Sequence, residues 1–491
     1  MPCTTILVGK KASYDGSTLM ARNEDSPSGK FEPKRFIVVN PEDQPRHYKA
    51  VLVDFEMDLP DNPMRYTAMP NAIDKEGIWG EAGINEANVA MSETETITSN
   101  SRVLGADPLV KNGISEEDML TIVLPYIKSA REGVERLGSI LEKYGTYEMN
   151  GIGFQDVDEI WWLETIGGHH WMAKRVPDDA YVVGPNQLGI DSFDFKDALG
   201  AKKDHMCSKD LADFVDENNL NLSKTDVKTA EDTAFDARAA FGSHSDSDHV
   251  YNTPRAWFME RYLNPNTYNW DGEDADFTPE SDDIPWSMVP EKKITIEDIK
   301  YVLSSYYQGT QYNPYDRRAV ESKKGKYRPI GINRNNFVAI TQIRPYVDPA
   351  IAGIEWISEG SNAFNTSVPF YANITKTPKY LENAGELVTT ENFYWASRII
   401  GALADSYYNL CIAHIERYEL KTMGEGHAFI KRVDEGFKKL KSKDDKKVKA
   451  YLEKKNDEMA AYLKDETYKV LDKVLYTASN QMKNGFSMND Y

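Results

Sequence analysis

Residues 3–25, CTTILVGKKASYDGSTLMARNED, decide how the chain begins to fold. Positions 4–8 are β-branched or apolar and read as a strand that starts almost at the terminus. Asp15 and Gly16 supply a turn, and 17–22 read as the returning strand. Antiparallel pairing in this hairpin carries Cys3 towards the cluster Arg22, Asn23, Glu24 and Asp25 at the end of the partner strand.

The juxtaposition has chemical consequences. Once Met1 and Pro2 are removed, Cys3 becomes the N-terminal residue, and its α-amine, with an ordinary pKa of about 8, can take the thiol proton without a histidine. A guanidinium beside the sulfur favours thiolate, and a carboxylate holds the amine or the arginine in place. While Pro2 remains, the nitrogen of Cys3 is an amide and cannot act as base, so the encoded chain is expected to be a zymogen. Taken singly, Cys3 reads as a small buried strand residue and the cluster as a charged strand end. Their pairing is what points to acyl transfer.

Outward from the hairpin, short strands and turns run from 37 to about 92, including LPDNPMRYTAMP at 59–70. Ser115 with Asp118 resembles a capping box, and helical spacing follows to Tyr126 and again from Val134 to Tyr144, where Gly145 stops it. Strands are expected at 151–154, 160–164, 171–175 and 181–183. The stretch 191–291 is polar and contains WDGEDADFTPESDD at 270–283, which reads as surface insertions and loops. A helix over 296–306, strands at 337–343 and 353–357, and helices from about 391 complete the order, with a Lys-rich solvated face over 437–455. This order gives an α+β fold with two layers of sheet between helices. The catalytic core is expected over 3–385, with a helical C-terminal region over 386–491 packed on it.

Composition narrows the function. A formal charge of −20 argues against nucleic acid and against an anionic membrane as partners, since both need clustered Lys and Arg. No secretory signal or membrane span is read, and three scattered cysteines, Cys3, Cys207 and Cys411, suit a reducing cytoplasm better than a disulfide framework. GxSxG, GxxxxGK and GxGxxG do not occur. His169 and His170 are adjacent and would face opposite sides of a strand, and HSDSDH at 244–249 lacks the Gly and Glu of a calcium loop. No metal and no cofactor is expected, and Trp161 and Trp162 read as core.

CTT at 3–5, ARNED at 21–25, AGINEANVA at 82–90 and VVGPNQLGI at 182–190 resemble the dipeptidase A branch of the cysteine N-terminal-nucleophile hydrolases, the family that includes secernins. The likeness extends to LPDNP, ETITSNSRVLGADPLV, WWLETIGGHHW and NTPRAW, nearly the whole chain. It implies a four-layer αββα sandwich with helical insertions, a homo-oligomer, and dipeptide substrates of broad kind. It also implies Cys3 as nucleophile, Arg22 and Asp25 beside it, Asn85 and Asn186 bordering the oxyanion site, and Arg255 as the last arginine of the site. The alternatives are an N-acyl amide hydrolase of the penicillin V acylase or bile salt hydrolase type, and a catalytically silent secernin-like interaction protein.

Overall fold

A computed structural model describes residues 3–95, 97–222 and 235–484; Met1, Pro2 and part of the 191–291 stretch lie outside it. The opening hairpin forms from Cys3–Val8 and Thr18–Asp25, with Cys3 opposite Glu24 and Thr5 opposite Arg22. The return strand is longer than the sequence suggests, so the whole ARNED cluster lies within it rather than beyond it.

These two strands sit at the centre of a seven-stranded sheet. Its order is Ser287–Met288, Tyr181–Gly184, Cys3–Val8, Thr18–Asp25, Asn335–Ile343, Gly353–Glu359 and Val368–Tyr371. The last strand contains Pro369, which hid it in the sequence; at a sheet edge a proline costs no ladder hydrogen bond. A second sheet runs His205–Cys207, His170–Arg175, Ile160–Ile166, Asn150–Gln155, Ala90–Glu95 and Ala82–Ile84.

Strand alternation sorts the core into layers. Leu7 and Met20 pack between the sheets with Ala90, Trp162 and Met172. There Gly153 comes so close that a Cβ would stand 2.5 Å from the Met20 sulfur. On the far face of the second sheet, Phe154, Trp161 and Leu163 meet Met119, Leu120, Val134 and Leu137 from helices Glu116–Val123 and Ala130–Tyr144. The capping box at Ser115 forms, and Gly145 ends the second helix at φ +71. Ile6, Val8, Leu19 and Ala21 face the other way, onto helices that include Thr253–Leu263 and Ile296–Leu303. The result is an αββα sandwich, with helices Tyr408–Lys438 and Asp445–Ser479 packed on its last strand and helix Phe393–Ser406 on the strand before it.

Two expectations need correction. The 191–291 stretch is not all surface: Trp257, Phe258 and Met259 on helix Thr253–Leu263 are buried, because its few apolar residues fall on the sheet-facing side. His169 and His170 do not diverge. His169 lies in the turn before the strand, so both Nδ1 atoms reach Asp107, at 2.9 and 2.7 Å.

Candidate active site

Cys3 begins the first strand and faces the space between the sheets, as does Arg22 on its neighbour. The Nη2 of Arg22 donates to the Cys3 sulfur at 2.5 Å, and both side chains are fully buried. Burial pushes the thiol up to about 12, while the Arg22 guanidinium pulls it back towards ionisation. Burial likewise opposes the charge on Arg22, but the Cys3 sulfur, Glu81 and Glu116 hold it firmly protonated.

Four glutamates surround this pair. Glu81 forms a close ion pair with Arg22 Nη1, and Glu116 accepts from Arg22 Nη2 at 3.3 Å. Glu24 pairs with Lys34 at 2.9 Å, and Lys34 also reaches Glu81 at 3.4 Å. Glu93 completes the group: one oxygen from each of Glu81, Glu93 and Glu116 lies within 4.8 Å of the others. Among the described residues neither Glu93 oxygen has a hydrogen-bond partner, although the residue is fully buried. Glu81 sits at φ +69, a conformation that a non-glycine residue adopts at a cost, and it lies at the site itself. Glu116 opens the helix Glu116–Val123, whose dipole favours an anion at that end.

The nitrogen and carbonyl of Cys3 are also held. Its N–H donates to Asn186 Oδ1 at 3.3 Å, just past the strand Tyr181–Gly184. Arg255 donates to the same Oδ1 at 2.7 Å, to the Cys3 carbonyl at 2.5 Å and to Thr4 Oγ1 at 2.7 Å. Burial lowers Arg255 to about 10, still charged at neutral pH. Of the residues read from the sequence, Cys3, Arg22, Asn186 and Arg255 therefore converge.

Two do not. Asp25 alternates to the opposite face of the sheet from Arg22 and is engaged by Arg328 and Asn335. Asn85 occupies the turn between strands Ala82–Ile84 and Ala90–Glu95. Its amide donates to the Leu124 and Ile127 carbonyls, both at 2.8 Å, so no N–H remains for an oxyanion. Sequence reading missed Lys34, Glu81, Glu93 and Glu116, which are scattered through the chain and share no motif. A cavity of about 420 Å³ lined by Phe31, Tyr306, Tyr315, Phe364 and Arg398 includes none of the site residues.

Comparison with known proteins identifies the family of the chain. The sequence pattern of Peptidase family C69 matches residues 2–421. A Dipeptidase of Bifidobacterium longum is 55% identical, over 100% of both chains. A Probable dipeptidase A of Streptococcus pyogenes is 54% identical over 100% of both, and a Probable dipeptidase B of Lactococcus lactis 49% over 99% of this chain and 98% of that one. The solved penicillin V acylase of Agrobacterium tumefaciens covers 75% of this chain at 12% identity and a TM-score of 0.31. A buried thiol under an arginine, in a chain with these relatives, makes this a peptidase of the cysteine type. It belongs to Peptidase family C69.

Proposed function

We propose that this protein is a dipeptidase of broad specificity whose nucleophile is Cys3, active once the chain begins at that residue. The observation that carries the reading is the double hold on Cys3: Arg22 on its sulfur and Asn186 on its nitrogen. The freed α-amine takes the thiol proton, and the sulfur attacks the peptide carbonyl. The resulting ammonium protonates the leaving amine, and water activated by the same amine hydrolyses the thioester. Asn186, whose carboxamide oxygen accepts from the Cys3 nitrogen and from Arg255, supplies the oxyanion donor. One such donor is worth about 3 kcal/mol. Arg255 positions the strand end by holding the Cys3 carbonyl and Asn186 together.

Dipeptide substrates are supported by the names of the relatives at 49–55% identity. A cytoplasmic location is supported by three cysteines that form no disulfide among the described residues. No described helix is long and apolar enough to cross a membrane.

The test is intact mass and amino-terminal sequencing of the purified protein, alongside hydrolysis of a dipeptide panel. A mature chain starting at Cys3, active on dipeptides and silenced at least a thousandfold in Cys3→Ser, is the expected result. Full activity with Met1 and Pro2 retained would sink the amine-as-base mechanism, and turnover of N-acyl amides alone would sink the substrate.

A further inference from the structure

Among the described residues, the buried carboxylates beside Cys3 outnumber the buried side-chain cations that pair with them. Arg22 and Lys34 stand against Glu24, Glu81, Glu93 and Glu116, all fully enclosed. Unpaired carboxylates are costly to bury, and Glu93 has no hydrogen-bond partner on either oxygen among the described residues. Its oxygen nevertheless points at those of Glu81 and Glu116, within 4.8 Å.

The geometry points to a site for a primary ammonium: Glu81, Glu93 and Glu116 bind the free amino group of the dipeptide. Three acceptors no more than 4.8 Å apart can all be reached from one point at about 2.8 Å, the length of a charge-assisted N–H···O bond. A primary ammonium carries three N–H donors to satisfy them.

Covalent geometry places that ammonium correctly. In a dipeptide the amine is two bonds, about 2.5 Å, from the carbonyl carbon under attack. A sulfur poised about 3–3.5 Å from that carbon therefore has the ammonium within about 6 Å. The carboxylate wall begins at that range, since one Arg22 nitrogen touches both the Cys3 sulfur and Glu116. Burial, with Glu81 and Glu116 nearby, drives Glu93 well above the ordinary carboxylate range, and a cation arriving among the three carboxylates would pull it back towards ionisation. An acyl group without an amine would put hydrocarbon against this wall, which distinguishes aminoacyl from N-acyl substrates.

The inference rests on the dipeptidase reading, and its test separates the two. Alanyl-alanine and propanoyl-alanine differ only by the amine, so kcat and KM for each, or Ki where propanoyl-alanine is not cleaved, isolate its contribution. Wild type should prefer alanyl-alanine by at least about a hundredfold, two charge-assisted hydrogen bonds' worth. Glu93→Gln and, independently, Glu116→Gln should each lower the preference for alanyl-alanine over propanoyl-alanine roughly tenfold, read mainly in KM for alanyl-alanine. Equal loss on both compounds would overturn the proposal, because the glutamates would then serve the fold or the amine of Cys3 itself. Undiminished preference in both variants would also overturn it, placing amine recognition elsewhere. Activity lost to a chelator and restored by a divalent cation would assign the three carboxylates to a metal instead. A wild type with no dipeptide turnover fails earlier, at the dipeptidase reading, and takes this inference with it.

Discussion

At the scale of single residues, Arg22 is the organising group. Its guanidinium bonds the Cys3 sulfur, Glu81 and Glu116 at once, a fork that lysine cannot reproduce. Arg22→Gln is expected to have two effects. Thermal or urea melts should show a loss of about 3–5 kcal/mol, because two buried carboxylates lose their counter-charge. The thiol should also become harder to ionise, since Arg22 is the charge that lowers it against burial, so the ascending limb of kcat/KM should move to higher pH. An unmoved limb in the folded variant would remove Arg22 from the chemistry. Arg22 was legible in the sequence because the hairpin register is local. Asp25, three positions on, lies on the opposite face for an equally local reason: odd and even residues of a strand face opposite sides.

At the scale of elements, Asp107 ties the end of helix Ser101–Ala106 to the turn before strand His170–Arg175. It accepts from the backbone and ring nitrogens of both His169 and His170, at 2.7–3.2 Å. Burial acts to raise its carboxyl, but the bonds from His170 and His169 overcome that and hold it well below the usual range. A depressed carboxyl stabilises the fold above its unfolded pKa of about 3.9 and loses that contribution as pH falls below it. Asp107→Asn should therefore cost on the order of 2 kcal/mol in urea melts at pH 7, with the gap to wild type narrowing at pH 3. A gap that persists unchanged in acid would mean that shape, not charge, holds the turn. The capping box at Ser115 and the stop at Gly145 were readable because both act within a few residues. The helix Thr253–Leu263 was not, because its apolar face is short and embedded in polar sequence.

At the scale of the whole molecule, the C-terminal helices share one apolar cluster with the first strand. Ile6 and Val8 belong with Trp356, Phe370, Leu463 and Val470. Leu463 is fully buried on the last helix, so Leu463→Ala should cost about 2–5 kcal/mol. The loss should shift a single cooperative transition, with activity per folded molecule retained. A separate early transition would instead make residues 386–491 an independent unit.

By itself the sequence determined the hairpin, the thiol at its start and the arginine across from it, because strand pairing and turn chemistry are short-range. It also carried the likeness that placed Asn186 and Arg255, which converge on Cys3 from 183 and 252 positions away. Only the tertiary structure brought Glu81, Glu93 and Glu116 together. Their carboxylates come from the residue before a strand, from a strand and from a helix start, and no local rule links three such elements. Burial, which gives those charges their force, exists only once both sheets and their helices have closed around them.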